Sequence, residues 1–197
     1  MNLKIVFLIS CLLFSNHALS SGESKKTFND QQRAALTDPQ NDLNCKMYGL
    51  AGAMFAERRN TGVTLEQARK DVLENFQLAD TPTELEKTTM IFVMNSLYGI
   101  GEDAYENTEL LPDTILQSFP DLCLSKILHP VSTEQKRDFF AGKLACQNEN
   151  PLDFFVSRKN WEHPQVAKLQ TCFRESSYKF MRDILGLNAA APAEISN

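Results

Sequence analysis

CKMYGLAGAMFAERRNTGV, residues 45–63, decides the fold. Ten uncharged residues, 47–56, follow Cys45-Lys46, with glycine and alanine crowding their middle, and a charged cluster and Gly62 close the stretch. A helix crossing a bilayer needs about 20 apolar residues, so this run is too short to span one. Cys45, Tyr48, Gly49, Gly52 and Ala56 recur at helical spacing. Gly49 and Ala53, like Gly52 and Ala56, stand four apart. Small residues at that spacing let a second helix approach closely, and close packing offsets the cost of glycine in a helix, about 1 kcal/mol each. The stretch therefore predicts a packing helix over about 42–59, closed by Gly62, which suits the left-handed position after a helix. Arg58 and Arg59 in its last turn complement the helix dipole without any ligand.

Helix signals recur along the chain. Thr64-Leu65-Glu66-Gln67 reads as a capping box, with Leu65, Ala68, Val72 and Phe76 as the buried stripe. Thr81-Pro82-Thr83-Glu84 opens a third helix, with proline where its missing N–H does no harm, carrying Leu85, Thr89, Phe92, Val93 and Leu97 and expected to end near Gly99-Ile100-Gly101. Residues 102–112 read as a long exposed acidic loop, with Glu102, Asp103, Glu106 and Glu109 as a partner-binding candidate, since exposed loops often carry function. A short helix from Asp113 holds Ile115, Leu116 and Phe119, is interrupted at Pro120, and Cys123 falls on the next turn. Ser132-Thr133-Glu134-Gln135 opens another through Cys146. Asn150-Pro151 opens a short one with Phe154, Phe155 and Val156, and His163-Pro164 opens the last, with the stripe Val166, Leu169, Phe173, Ser177, Phe180 and Ile184. No stretch alternates with period two, and there is no Asn-Gly or Asp-Gly hairpin signal. The expected fold is all-α: a single compact bundle of about seven helices over 38–187, after a flexible leader at 21–37 and before a disordered tail at 188–197.

The first twenty residues carry a secretory signal pattern: Lys4, an apolar run over 5–14, and Ala18-Leu19-Ser20 before cleavage near Ser20. Leu8-Ile9-Ser10-Cys11 loosely resembles a lipoprotein box, although only ten residues precede Cys11. The expected location is periplasmic or secreted. The net charge is −5, or −6 once Lys4 leaves with the signal. Such an acidic balance argues against nucleic acid, whose binders carry a basic face.

Of five cysteines, four remain after Cys11: Cys45, Cys123, Cys146 and Cys172. An even count in an exported chain predicts two disulfides. Three connectivities are possible, and pairing neighbours along the chain gives Cys45–Cys123 and Cys146–Cys172. No CxxC occurs, and His129 and His163 each precede a proline, whereas zinc ligands come in close pairs. No metal and no cofactor are expected.

Catalytic patterns are sparse. There is no GxSxG. Of the two histidines His163, beside Trp161 and Glu162, is the better acid–base candidate, but with no partner motif the preferred reading is a plain histidine at a helix start. Phe139-Phe140 and Phe154-Phe155 are adjacent pairs. Neighbours on a helix point about 100° apart, so one of each pair is expected in the core and the other at its edge, where it could build an interaction patch.

The pattern Cys45…Ala51…Arg58…Gly62…Ala68…Tyr98…Phe119…Cys123 resembles that of small exported bacterial helical proteins, in which two cysteines bracket a helical unit closed by Arg-x-x-x-Gly. Some of similar build are immunity proteins against peptidoglycan amidase toxins of type VI secretion. The resemblance covers 45–123 and implies binding to another exported protein; it transfers no inhibitory residue. The leading reading is a protein-binding module, extending to an inhibitor or immunity protein of a cell-wall enzyme. The alternatives are a small hydrolase using His163 and a carboxylate, and a binder of an apolar ligand between helices.

Overall fold

Side-chain caps start most of the helices in the computed structural model, which describes residues 28–76, 80–151 and 164–187. Asn29 and Gln32 form a capping box at α1 (Asp30–Thr37). Asp38 caps α2 (Pro39–Asn60), with proline where no N–H is required. Thr64 caps α3 (Leu65–Asn75). Thr83 and Glu86 box α4 (Glu84–Glu106), and Ser132 and Gln135 box α6 (Thr133–Glu149). α5 (Pro112–Leu128) starts on proline without a side-chain cap, and α7 is Pro164–Ile184. These seven helices are the whole regular structure of the described residues, with no strand among them. The fold is all-α, as the sequence implies.

α2 is the hub, packed against both α4 and α5. Its small residues face α5. A methyl at Gly49 would lie 2.7 Å from two Pro120 ring carbons, and one at Gly52 would overlap the Phe119 ring. Ala51 and Phe55 are fully buried beside this seam. Phe55 fits α4 because Gly101 has no side chain: a methyl there would stand 3.1 Å from the Phe55 ring. Aromatic rings continue the core across four helices, with centroids 5.9 Å apart for Tyr48–Phe119, 5.7 Å for Phe119–Phe140, 5.5 Å for Phe139–Phe140 and 5.0 Å for Phe139–Phe180. Offset and edge contacts of this kind add about 0.5–1.5 kcal/mol each beyond burial.

Both disulfides join the expected partners, Cys45 to Cys123 and Cys146 to Cys172. The first ties α2 to α5 across 78 residues, and the second ties α6 to α7 across 26. Chain entropy in the unfolded state gives about 3 to 4.5 kcal/mol each on the loop-closure model. Cys146, Leu169 and Phe173 form a small apolar cluster of their own at the second bridge.

Five expectations are corrected. Helical structure begins at Asp30 rather than at Asp38, because Asn29 and Gln32 satisfy each other's end of α1. α4 does not stop at Gly99–Gly101 but runs to Glu106, so Glu102, Asp103 and Glu106 are helical and only 107–111 is irregular. α5 does not break at Pro120; proline removes the N–H that would bond the Leu116 carbonyl. That carbonyl lies so near α2 that a methyl at Gly49 would be 2.8 Å from it. Phe139 and Phe140 are both buried, since α6 lies between α5 and α7 and each ring meets a different neighbour. Gln67 does not reach back to the start of α3; its amide donates to Asp71. The expected short helix with Phe154, Phe155 and Val156, and the leader at 21–27 and tail at 188–197, lie outside the described residues.

Candidate functional site

The four acidic residues singled out in the sequence separate by the turn of α4. Glu102 and Glu106 are exposed on the helix and Glu109 is exposed in the turn that follows. Asp103, one step round from Glu102, points inward and is 2% exposed. It accepts from Lys126 of α5 at 3.1 Å and from Lys136 of α6 at 2.6 Å. Lys126 also donates to the Tyr48 hydroxyl of α2 at 2.8 Å. One carboxylate therefore joins four helices. Burial first, and the Asp103 charge second, push the Tyr48 phenol far above its usual range, so it stays protonated.

Beside this junction a groove of about 340 Å³ opens between α4 and α5. Tyr48 and Cys123 make its floor, Phe92, Asn95, Ser96 and Gly99 of α4 one wall, and Lys126 and Ile127 the other. The two walls are helical, and helical side chains hold the polar groups at fixed positions. The Phe139-Phe140 pair does not line it; that pair is core.

The outer face of α4 is a second feature. Ile91 is 62% exposed, Met94 46% and Tyr98 66%. At about 100° per residue these three fall within roughly 60° of one another, and the groove residues Phe92, Asn95 and Gly99 lie further round. Arg69 of α3 stacks over Tyr98, 4.3 Å from the ring centre, and pairs with Glu102 at 3.4 Å.

A second buried polar centre joins α5, α6 and α7. Lys143 has no exposed surface; its ammonium donates to the Phe173 carbonyl at 2.7 Å and to the Ser177 hydroxyl. Ser177 donates in turn to Asp121, which stands 3.9 Å from the ammonium. Burial pushes Lys143 down to about 8 and Asp121 upward, with each partner opposing the other's shift. A lysine beside a serine has the composition of an activated nucleophile. Here the serine is 3% exposed and its hydroxyl is already committed to Asp121, so no substrate reaches it. The centre is structural, and sequence reading missed it. The available signal was a lysine flanked by Phe139, Phe140, Leu144 and Cys146 at helical spacing.

Arg59 is also structural. Its guanidinium donates to the carbonyls of Ala104, Asn107 and Leu110 at 2.6–2.7 Å, closing the end of α4. His163, the acid–base candidate of the alternative hydrolase reading, lies with Trp161 and Glu162 outside the described residues. His129 is exposed, with Nδ1 2.7 Å from the Pro130 carbonyl oxygen. Among the described residues no group of three or more His, Cys, Asp or Glu side chains is placed to hold a metal ion, and no helix is long and apolar enough to cross a membrane. No protein-family model, curated protein or solved structure matches the chain.

Proposed function

We propose that this chain is an exported protein-binding module that docks through the outer face of α4. The observation that carries it is the apolar stripe Ile91–Met94–Tyr98, exposed on a regular helix whose opposite face is fully used by the core. Exposed apolar groups of this size are the usual centres of protein interfaces, and tyrosine is enriched among their hot spots. Glu102 and Glu106 continue the same helix beyond the stripe. The complementary partner thus has an apolar centre and a basic rim, and its capture in an inhibited state would make this an inhibitor or immunity protein. Export is supported by the two disulfides, which persist in oxidising compartments.

The test is a paired pull-down from the periplasm with the oxidised wild type and with Ile91→Glu/Tyr98→Glu. A partner at stoichiometric yield on the wild type, absent from the variant, supports the reading. Equal recovery on both, or no partner on either, refutes it. Inhibition of the captured protein, if it is a cell-wall hydrolase, separates the inhibitor from a plain binder.

A further inference from the structure

The helical glycines differ in one respect. A methyl at Gly49, Gly52, Gly101 or Gly142 would lie less than 3.0 Å from a neighbouring helix, so each pays its conformational cost for close approach. Gly99, in the middle of α4, would meet nothing within 4 Å. Glycine there costs about 1 kcal/mol against alanine, and no packing offsets it. Gly99 does line the groove between α4 and α5.

The electrostatics at the groove are one-sided. Asp103 supplies one negative charge against the two ammonium groups of Lys126 and Lys136, which leaves one positive charge in excess. Lys126 lines the groove. An ammonium has three N–H donors, and Lys126 spends two, on Tyr48 and Asp103. Among the described residues the third has no hydrogen-bond partner, so an anion could take it. The remaining surface is mainly apolar, with Phe92 and Ile127 on opposite walls. The groove is open to solvent, with a volume of about 340 Å³.

We propose that this groove binds a medium-chain aliphatic monocarboxylate, its chain between Phe92 and Ile127 over Gly99 and its carboxylate on Lys126 Nζ. The site is separate from the Ile91–Met94–Tyr98 stripe and does not depend on the protein-binding reading. The experiment is calorimetric titration of the full oxidised protein with decanoate below its micelle concentration, with decanol and acetate as parallel arms. Saturable one-site binding of decanoate is expected, with decanol and acetate each weaker by about tenfold or more, as loss of a charge-assisted hydrogen bond or of the apolar chain would give. Gly99→Leu is expected to abolish binding while helical circular dichroism stays unchanged, because Gly99 lines the groove and a Cβ there strikes no neighbouring helix. Lys126→Gln is expected to weaken decanoate about tenfold and to leave decanol unchanged; Lys136 keeps Asp103 paired. No saturable binding up to millimolar decanoate overturns the proposal. So does decanol binding as tightly as decanoate, or Gly99→Leu binding like the wild type. Should Lys126→Gln fail to fold, the decanol arm and Gly99→Leu decide the matter alone.

Discussion

Lys143 should make folding stability rise with pH. Its ammonium is enclosed by α5, α6 and α7, and burial holds its pKa at about 8 against the usual 10.5. The unfolded chain restores the usual value. Between pH 8 and 10.5 the unfolded state therefore holds a proton that the folded state has released, and stability increases wherever the unfolded state binds more protons. At about 1.4 kcal/mol per pH unit the full gap is worth about 3 kcal/mol, of which about 2 to 3 is recovered between pH 7 and pH 10. Tyr48 acts in the opposite sense only above pH 10, where its raised folded pKa keeps a proton that the unfolded phenol loses. The window from 7 to 10 is therefore the informative one. The assay is urea unfolding of the oxidised protein at four pH values across it, on wild type and Lys143→Met. Wild type should gain stability through the window, and Lys143→Met should lose that gain. Asp121→Asn should cost about 1–2 kcal/mol at pH 7, because with a folded pKa of about 8 the ammonium sheds its proton for about 1.4 kcal/mol once its anion is gone, and the double variant with Lys143→Met should recover most of that loss. An equal pH slope in wild type and Lys143→Met would refute the reasoning.

Other outcomes follow from the same packing. Gly52→Ala should destabilise by about 1–3 kcal/mol, since the added methyl overlaps Phe119, which is itself held by Tyr48 and Phe140. Gly99→Ala should instead stabilise by up to about 1 kcal/mol, having nothing to strike; thermal unfolding of the pair checks both signs. Arg59→Ala should cost about 2–3 kcal/mol by leaving three carbonyls at the end of α4 without their charged donor. Arg59→Lys should recover little of it, because one ammonium cannot reproduce the planar fork, as denaturant melts of both would show.

Most of the helix starts could be read directly from the chain. Caps are local: a threonine or serine oxygen meets an amide three residues away, so Thr64 and Ser132 mark their helices without reference to anything distant, whereas α4 is capped by Thr83, which leaves Pro82 outside the helix rather than in its first turn. Apolar spacing likewise identified the buried stripe of α7, from Val166 to Ile184. The helix breakers were misread, because the cost of a breaker is local while its compensation is not. Gly101 allows Phe55 to pack, and Pro120 packs on Gly49; in both cases the partner comes from another helix. The acidic run 102–109 was misread for a related reason. Charge density says solvent, but once α4 continues, a step of about 100° turns Asp103 inward while Glu102 stays out.

The sequence alone determined an all-helical chain, where most of its helices begin, and four cysteines able to form two bridges. These follow from interactions within a few residues or from counting. Tertiary structure alone decided that α4 and α5 run through their breakers, that Lys143 is buried, that Asp103 is buried while Glu102 beside it is solvated, and that Gly99 borders open space. Each depends on which atoms of distant helices stand within a few ångströms, and the burial of a charge is settled by those neighbours rather than by the residue itself.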